Sequence, residues 1–205
     1  MSFLIAIAGG TASGKTTIVD KLKAEFKSGE VSIISMDNYY KRRDDLTLEE
    51  RKTINYDSPD SFDLDLLREN LKNLLNGFEV EEPIYDFTIH NRSDEIRMVY
   101  PAKVIILEGI FALYDQYIRS LSNLLIYVES EADIRFIRRL KRDIIDRNRT
   151  MDDVIYQYLS TVKPMHDLYV DKTKVYADVI IPNNSRYDTA MDLILSKIKE
   201  VVKTK

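Results

Sequence analysis

The chain has 205 residues, of which 44% are hydrophobic and 31% are charged, so it is long enough to bury a sizeable core under a well-solvated surface. The formal net charge of −4 argues against a general nucleic-acid binder, and the lack of cysteine excludes disulfides and thiolate chemistry. No apolar run approaches the roughly 20 residues of a membrane span, and the apolar start lacks the basic flank of a signal peptide. We therefore expect one domain over residues 1–205, a cytoplasmic location, and neither a membrane nor a nucleic-acid partner.

Five short runs rich in β-branched residues predict the strands of a buried parallel sheet. They are residues 3–8, 31–36, 103–107, 124–128 and 178–181. Each run is nearly continuous in apolar character, as in strands that are covered on both faces. Helical patterns lie between them, at 16–27, at 64–76 with Gly77 as the stop, from Ser130 onward, at 152–169 and at 188–202. This alternation predicts an α/β fold with a doubly wound, five-stranded parallel sheet.

Residues 79–100 depart from this pattern. They alternate between polar and apolar residues on either side of Asn91-Arg92-Ser93, which predicts an antiparallel β-hairpin outside the main sheet. The hairpin is either an edge decoration or a wall over a functional site.

The string GGTASGKTT at residues 9–17 matches the Walker A pattern G-x-x-x-x-G-K-[ST] between a buried strand and a helix. Glycines allow backbone N–H groups to surround a phosphate, and the positive end of the following helix adds to the attraction. In this pattern Lys15 reaches the β- and γ-phosphate oxygens, and Thr16 supplies a hydroxyl to Mg²⁺. The string therefore predicts a sheet of the P-loop NTPase type that binds a nucleoside triphosphate. The predicted contacts are Gly9, Gly10, Thr11, Ala12, Ser13, Gly14, Lys15, Thr16 and Thr17.

Two carboxylates follow predicted strands. Asp37 comes after the run 31–36, and Glu108 comes after the run that ends at residue 107. In open α/β sheets ligands bind outside the carboxyl ends of the strands. A kinase needs one carboxylate to accept the proton of the acceptor hydroxyl and one to hold the metal shell. For either residue alone, a helix cap or a surface turn is the alternative.

Residues 130–150 contain a helix with two unlike faces. Four basic side chains fall within an arc of roughly 100°: Arg135, Arg138, Arg139 and Arg142. The apolar side chains lie opposite: Ile134, Ile137, Leu140, Ile144 and Ile145. We expect the apolar face to pack down and the other face to present guanidinium groups. Those groups form either a lid that closes on the triphosphate, or a solvated face paired with Glu131 and Asp143.

With these features the chain resembles the uridine (uridine–cytidine) kinase family from its first strand to about Pro182. Eight strings carry the resemblance in order: GGTASGKTT (9–17), MDNYY (36–40), NYDSP (55–59), PIYDFTIHNR (83–92), ILEGIFAL (106–113), RRLKRDI (138–144), QYLSTVKPM (157–165) and YADVIIP (176–182). The family implies phosphorylation of uridine and cytidine at the 5′-hydroxyl to UMP and CMP, with ATP or GTP as donor and Mg²⁺ as cofactor. It also implies a homo-oligomer, commonly a tetramer.

The resemblance also implies roles for individual residues. Asp37 is similar to the general base for the 5′-hydroxyl, and Asp57 to the acceptor of hydrogen bonds from the ribose hydroxyls. Tyr40 lines the sugar, and Tyr85 and His90 frame the pyrimidine ring. This makes the hairpin a base-recognition wall.

The remaining matched positions concern phosphates, metal and nucleoside. Glu108 would hold the Mg²⁺ shell with Thr16 and Asp37. Three positions match residues near the nucleoside: Arg139, Arg149 and Gln157. Arg142 matches a lid position near the transferring phosphate, whereas His166 matches no functional position of the family.

Two segments depart from the family pattern. Asn148 stands between Arg147 and Arg149 where the family commonly has glycine, and asparagine is the least costly substitute if the backbone is left-handed there. The loop Asn183-Asn184-Ser185-Arg186 is atypical, which puts contacts to the donor purine in doubt.

Two rival functions remain open at this point. One is a related small-molecule kinase of the same fold, similar to phosphoribulokinase or pantothenate kinase. The other is a nucleotide-dependent switch without an acceptor, although the guanine-binding N/T-K-x-D string of GTPases is absent.

Overall fold

The strands of the computed structural model, which describes residues 2–185 and 187–203, are β1 (Phe3–Ala8), β2 (Val31–Ser35), β3 (Val80–Asp86), β4 (Asn91–Val99), β5 (Val104–Glu108), β6 (Leu124–Glu129) and β7 (Val179–Pro182). Five of them form one sheet in the order β2-β5-β1-β6-β7, and every neighbouring pair is parallel. The predicted α/β class and five-stranded parallel sheet are confirmed. β1 has its predicted bounds, and the ends of the other four strands differ from the predicted ones by at most one residue. Glu108 therefore ends β5 and does not follow it.

Helices cover both faces of this sheet, as a doubly wound fold requires. They are α1 (Lys15–Ala24), α2 (Leu48–Lys52), α3 (Leu64–Leu75), α4 (Gln116–Leu121), α5 (Ala132–Ile145), α6 (Met151–Gln157), α7 (Lys163–Met165) and α8 (Asp188–Lys203). Side chains of β1 alternate between two buried clusters: Leu4 and Ala6 pack with α3 and α4, and Ile5 and Ile7 pack with α1 and α8. The apolar character of β1 follows from this burial on both faces.

The region predicted as one helix over 152–169 is longer and more irregular. After α6 the chain winds as a π-helix at Tyr158–Val162, passes through α7, and winds as a second π-helix at His166–Val170. A 3₁₀-helix at Asp171–Tyr176 then leads to β7. π-Helical turns are rare and occur frequently at functional sites.

Strands β3 and β4 form the predicted off-sheet hairpin, but its turn lies at residues 87–90 and not at Asn91-Arg92-Ser93, which belong to β4. The hairpin is fastened to the edge strand β2. Glu82 is fully buried and accepts hydrogen bonds from the backbone N–H of Ser35 (3.0 Å) and from Nε of Arg97 (2.6 Å). Nη2 of Arg97 also donates to the carbonyl of Ile33 at 2.9 Å. These contacts fix the hairpin above the carboxyl end of β2, beside Asp37.

Within residues 2–185 and 187–203 we find no helix with the length and hydrophobicity that crossing a bilayer requires.

Candidate nucleotide and nucleoside site

The loop after β1 needs glycine at two positions. At Gly9 (φ 150°) a Cβ atom would lie 2.3 Å from the carbonyl oxygen of Val128, and at Gly14 (φ 93°) it would lie 2.2 Å from Nδ2 of Asn183. Nζ of Lys15 donates to the carbonyls of Gly9 (2.9 Å) and Gly10 (3.2 Å). Gly14 caps α1, so the N–H groups of the first helical turn face the loop. This is the geometry of an anion-binding P-loop.

A cavity of about 430 Å³ opens beside this loop. It is lined by Thr11, Ala12, Gly14, Lys15, Thr16, Thr17, Asp37, Glu108, Gly109, Ile110, Arg138, Arg142 and Arg147. The cavity thus unites most of the predicted phosphate contacts with both predicted carboxylates and one predicted catalytic arginine. Gly9, Gly10 and Ser13 belong to the loop but do not line the cavity, and the side chain of Ser13 is buried.

The cavity brings the buried carboxyl group of Glu108 and the buried ammonium group of Lys15 close together, and each shifts the pKa of the other. Burial raises the pKa of Glu108, as does the neighbouring Asp37 carboxylate, while Lys15 and a hydrogen bond from Ser35 act against this rise. Oγ of Ser35 donates to Oε1 of Glu108 at 3.0 Å, which orients the carboxylate. Burial likewise lowers the pKa of Lys15, against the attraction of Glu108 and Asp37. A triphosphate with a cation would complement these groups.

The orientation predicted for α5 is wrong. Arg135 and Arg139 are 5% and 6% exposed, whereas Ile137 and Ile145 on the opposite side are 51% and 76% exposed. The arginine face packs onto the P-loop, where Nη1 of Arg139 donates to Oγ1 of Thr11 at 3.0 Å. Ser130 does not open the helix either, since Glu131 is the N-cap and makes no side-chain cap bond. The arginine side chains are buried because the loop and an internal carboxylate partner them, which helical periodicity does not reveal.

That internal carboxylate is Asp143, which is fully buried. Its Oδ1 lies 2.8 Å from Nη2 of Arg142 and 3.6 Å from Nη1 of Arg147. Its Oδ2 lies 3.5 Å from Nε of Arg139 and 3.9 Å from Nη1 of Arg149. One buried carboxylate is therefore the shared counterion of four arginines beside the cavity.

Gln157 connects two of these arginines. Its Oε1 accepts hydrogen bonds from Nη2 of Arg139 at 2.8 Å and from Nη1 of Arg149. Gln157 therefore joins the other two positions that the resemblance assigned to the nucleoside.

Aromatic side chains cluster between the hairpin and the segment after β2. Tyr40 and Tyr85 are buried with ring centroids 4.9 Å apart, and Tyr40 also contacts Tyr56 at 5.3 Å. His90, at φ 50°, stacks on Tyr56 with centroids 5.6 Å apart and accepts a hydrogen bond from its hydroxyl at the backbone carbonyl. Burial lowers the pKa of His90, as does the nearby Arg149. The cluster adjoins the cavity through Arg147, which lines the cavity and lies 4.7 Å from the ring centroid of Phe87. The ring of Phe87 in turn contacts Tyr85, with centroids 5.1 Å apart.

Asp57 is half-buried and lies in the loop that precedes the 3₁₀-turn Pro59–Ser61. Burial raises the pKa of Asp57, while Arg139 opposes the rise. It lines a second, small cavity together with Thr11 and Ile110, which also line the large one. The two cavities therefore meet at these two residues, which places Asp57 close to the large cavity.

The two departures from the family pattern are well accommodated. Asn148 has φ 51°, as expected for an asparagine in place of glycine. Asn183 is buried, and its Nδ2 donates to the carbonyl of Ser13 in the P-loop at 2.7 Å. This loop therefore supports the phosphate-binding backbone, while Arg186 lies outside the described residues.

Asp143 was named from the sequence as a partner of the arginines, but on a solvated face and not in the interior. No role in the site was assigned from the sequence to Ser35, Tyr56 or Asn183. Tyr56 stands inside the string NYDSP and could have been found from that string. Ser35 and Asn183 act through contacts with Glu108 and Ser13, which are distant in sequence, so no local pattern marks them.

A glycine-rich loop follows the central strand β1, and carboxylates lie at the carboxyl ends of the next two strands of the sheet, β5 and β2. This arrangement defines a P-loop phosphotransferase. The model of the phosphoribulokinase / uridine kinase family matches residues 4–190. The chain belongs to this family, which confirms the resemblance and implies a nucleotide as phosphoryl donor.

Relatives cover nearly the whole chain. The uridine kinase of Halalkalibacterium halodurans is 46% identical over 202 residues, which are 98% of this chain and 96% of that protein. The uridine kinase of Staphylococcus haemolyticus is 47% identical over 199 residues, which are 97% and 96% of the two chains. The structure of phosphoribulokinase from Rhodobacter spheroides has a TM-score of 0.64 at 16% identity, with 88% of this chain and 70% of that chain covered, and it supports the fold alone.

Proposed function

We propose that the protein is a uridine and cytidine kinase, which transfers the terminal phosphoryl group of ATP or GTP to the 5′-hydroxyl of the nucleoside and releases UMP or CMP. One observation carries this proposal: the P-loop cavity contains Asp37 and Glu108 and adjoins an aromatic cluster formed by the hairpin. A planar ring suits that cluster better than a sugar phosphate does. The names of the relatives at 46% and 47% identity agree with it.

Asp37 is the residue that accepts the proton of the 5′-hydroxyl. It lines the same cavity as Lys15 and Arg142. The attacking oxygen and the transferred phosphoryl group therefore meet between the Asp37 carboxylate and these two cationic side chains. Phosphoryl transfer demands little covalent chemistry from the protein, and catalysis is positioning plus electrostatic stabilisation. Lys15 and Arg142 stabilise the charge on the transferred oxygens, and the arginine stays protonated when water is excluded.

The oxygen donors in the cavity fit Mg²⁺. Thr16, Asp37 and Glu108 all line the cavity, and Mg²⁺ prefers one or two carboxylates together with phosphates and retained waters. In the described part of the chain no group of three or more acidic or histidine side chains could hold a metal by itself. We infer that the triphosphate completes the shell. When bound, the ion neutralises phosphate charge as a Lewis acid.

The nucleoside is held by the residues around the aromatic cluster. Tyr85 and His90 frame the pyrimidine, Tyr40 lines the sugar, and Asp57 accepts hydrogen bonds from the ribose hydroxyls. A buried carboxylate deprived of those donors costs free energy, so deoxyribonucleosides should be poor acceptors. A further group contacts the nucleoside from the lid: Arg139, Arg149 and Gln157.

An acceptor panel with labelled ATP tests the function. Uridine and cytidine should be phosphorylated, and 2′-deoxyuridine much more slowly. Ribulose 5-phosphate and pantothenate cover the related kinases, and transfer to either in preference to uridine would refute the nucleoside assignment. ATP hydrolysis that no acceptor changes would instead support a nucleotide-dependent switch.

Variants of the hairpin test the assignment of the base site. Replacing Tyr85 with Leu or His90 with Ala should raise KM for uridine several-fold while KM for ATP stays near the wild-type value, because neither side chain lines the phosphate cavity. If KM for uridine is unmoved in both variants, the hairpin does not form the base site.

We also propose that the chain acts as one domain in the cytoplasm and assembles into a homo-oligomer, as the family resemblance implies. Light scattering of the purified protein measures the assembly directly, and a monomer at working concentration would refute it.

A further inference from the structure

His166 has no part in the function proposed so far, yet its placement is unusual. It begins the second π-helical segment, His166–Val170, and its Nδ1 is buried without a hydrogen-bond partner among the described residues. Buried polar atoms in native proteins are nearly always paired, and an exception calls for a physical reason such as a ligand or an ordered water.

A small cavity of about 10 Å³ provides the space for such a partner. It is lined by Thr11, Asp57, Ile110, Val162, His166 and Val170. Its volume suffices for about one water-sized group. A pyrimidine ring does not fit, but a single hydroxyl does. Thr11 and Ile110 also line the large cavity, so the small cavity lies directly beside a ligand bound there.

His166 is uncharged at physiological pH. Burial and the adjacent guanidinium of Arg135 lower the pKa of its imidazole to about 4, despite the carboxylates of Asp167 and Asp171. A neutral imidazole has one N–H donor and one acceptor nitrogen. The ring therefore offers the cavity a hydrogen bond without adding a second cation beside Arg135.

The polar groups of this cavity complement a ribose hydroxyl. The carboxylate of Asp57 only accepts, so a hydroxyl that donates to it keeps lone pairs that need a donor. Two groups of this cavity can donate to such a hydroxyl. One is the hydroxyl of Thr11, which also accepts from Nη1 of Arg139 at 3.0 Å. The other is the imidazole of His166, whose buried Nδ1 has no hydrogen-bond partner among the described residues. We propose that His166 is a further ribose-binding residue, whose Nδ1–H donates to the same hydroxyl whose proton Asp57 accepts. This inference rests on the proposed nucleoside kinase activity.

Three substitutions at one position test it. His166→Asn keeps a polar atom at the position of Nδ1, His166→Gln keeps one only at the position of Nε2, and His166→Leu keeps none. Each is assayed with uridine, 2′-deoxyuridine and 3′-deoxyuridine, and thermal unfolding is recorded in parallel.

The Leu and Gln variants should raise KM for uridine about 5- to 10-fold, the equivalent of one hydrogen bond of roughly 1 to 1.4 kcal/mol. KM for the deoxynucleoside that lacks the contacted hydroxyl should not change, and neither should KM for ATP. His166→Asn should behave like the wild type. Because the Leu and Gln variants make the same prediction, the test remains valid even if one of the two fails to fold.

Equal effects on all three nucleosides, or an effect on KM for ATP alone, would overturn the proposal. The second result would mean that His166 only supports the loop, since its Cε1 would lie 2.9 Å from a Cβ atom at Gly10. If the wild-type enzyme phosphorylates none of the nucleosides, the proposed function fails first and this proposal with it. If the wild type discriminates among them and the variants do so equally, only the role of His166 is refuted.

Discussion

Replacing Asp143 with Asn tests how the lid arginines are held in place. Asp143 is fully buried and lies within 4 Å of Arg139, Arg142, Arg147 and Arg149, at N–O distances from 2.8 to 3.9 Å. Asparagine keeps the shape of the side chain and removes its charge. The four guanidinium groups then lose their shared counterion and repel one another.

The magnitude follows from burial. Removing one partner of a buried ion pair costs about 3–5 kcal/mol. Arg142, Arg147 and Arg149 are 34%, 33% and 31% exposed, so water screens part of the loss, and we expect about 2–3 kcal/mol. For a chain of this length each kcal/mol lowers Tm by about 2–4 °C, so Tm should fall by about 4–12 °C. Because Arg142 would leave its position beside the cavity, kcat should fall about 10- to 100-fold.

Circular dichroism melting and steady-state kinetics measure both effects. Asp146→Asn is the matched control, since Asp146 is exposed at the end of the same helix and loses the same charge. The reasoning is refuted if both variants unfold at the same temperature and turn over like the wild type.

Three further predictions concern single residues. Asp37→Asn should abolish phosphoryl transfer to uridine while calorimetry still detects ATP binding, and wild-type turnover would remove Asp37 from the mechanism. Ser35→Ala removes a hydrogen bond that favours the ionised form of Glu108, so the pKa of Glu108 should rise further. The affinity for Mn²⁺ should then fall, and the acid limb of the pH–activity profile should move to higher pH. Ser32→Ala, on the same strand but bonded to the carbonyl of Tyr100, should change neither. Asn148→Gly should preserve stability, whereas Asn148→Val should lose about 1–2 kcal/mol in chemical denaturation because φ is 51° there; equal stability of the two variants would contradict this.

The sheet was predictable because burial on both faces leaves a direct record in the sequence. Strand β1 is apolar at every position, and its side chains pack into two clusters on opposite faces. The P-loop was predictable for a different reason, because its glycines adopt backbone conformations that other residues rarely adopt, as at Gly14, where φ is 93°. Both features depend on short stretches of chain.

The features that were missed depend on distant contacts. Periodicity in α5 separates basic from apolar side chains, but it does not say which face meets the protein. The apolar side chains of Ile137 and Ile145 point outward because the P-loop and Asp143 bind the opposite face. The hairpin turn was misplaced for a local reason, since a histidine at φ 50° is uncommon and His90 gives no turn signal.

The hydrogen bond from Asn183 to the carbonyl of Ser13 has a consequence for the synthesis of the chain. The two residues are 170 positions apart, and the side chain of Asn183 fills the space against Gly14. The phosphate-binding loop therefore leaves the ribosome long before Asn183, whose side chain supports its backbone. A nascent chain that stops before β7 therefore holds the complete Walker A string without the clamp on its backbone. We expect nucleotide affinity to appear only after β7 and Asn183 have been synthesised and Asn183 has bonded to the loop.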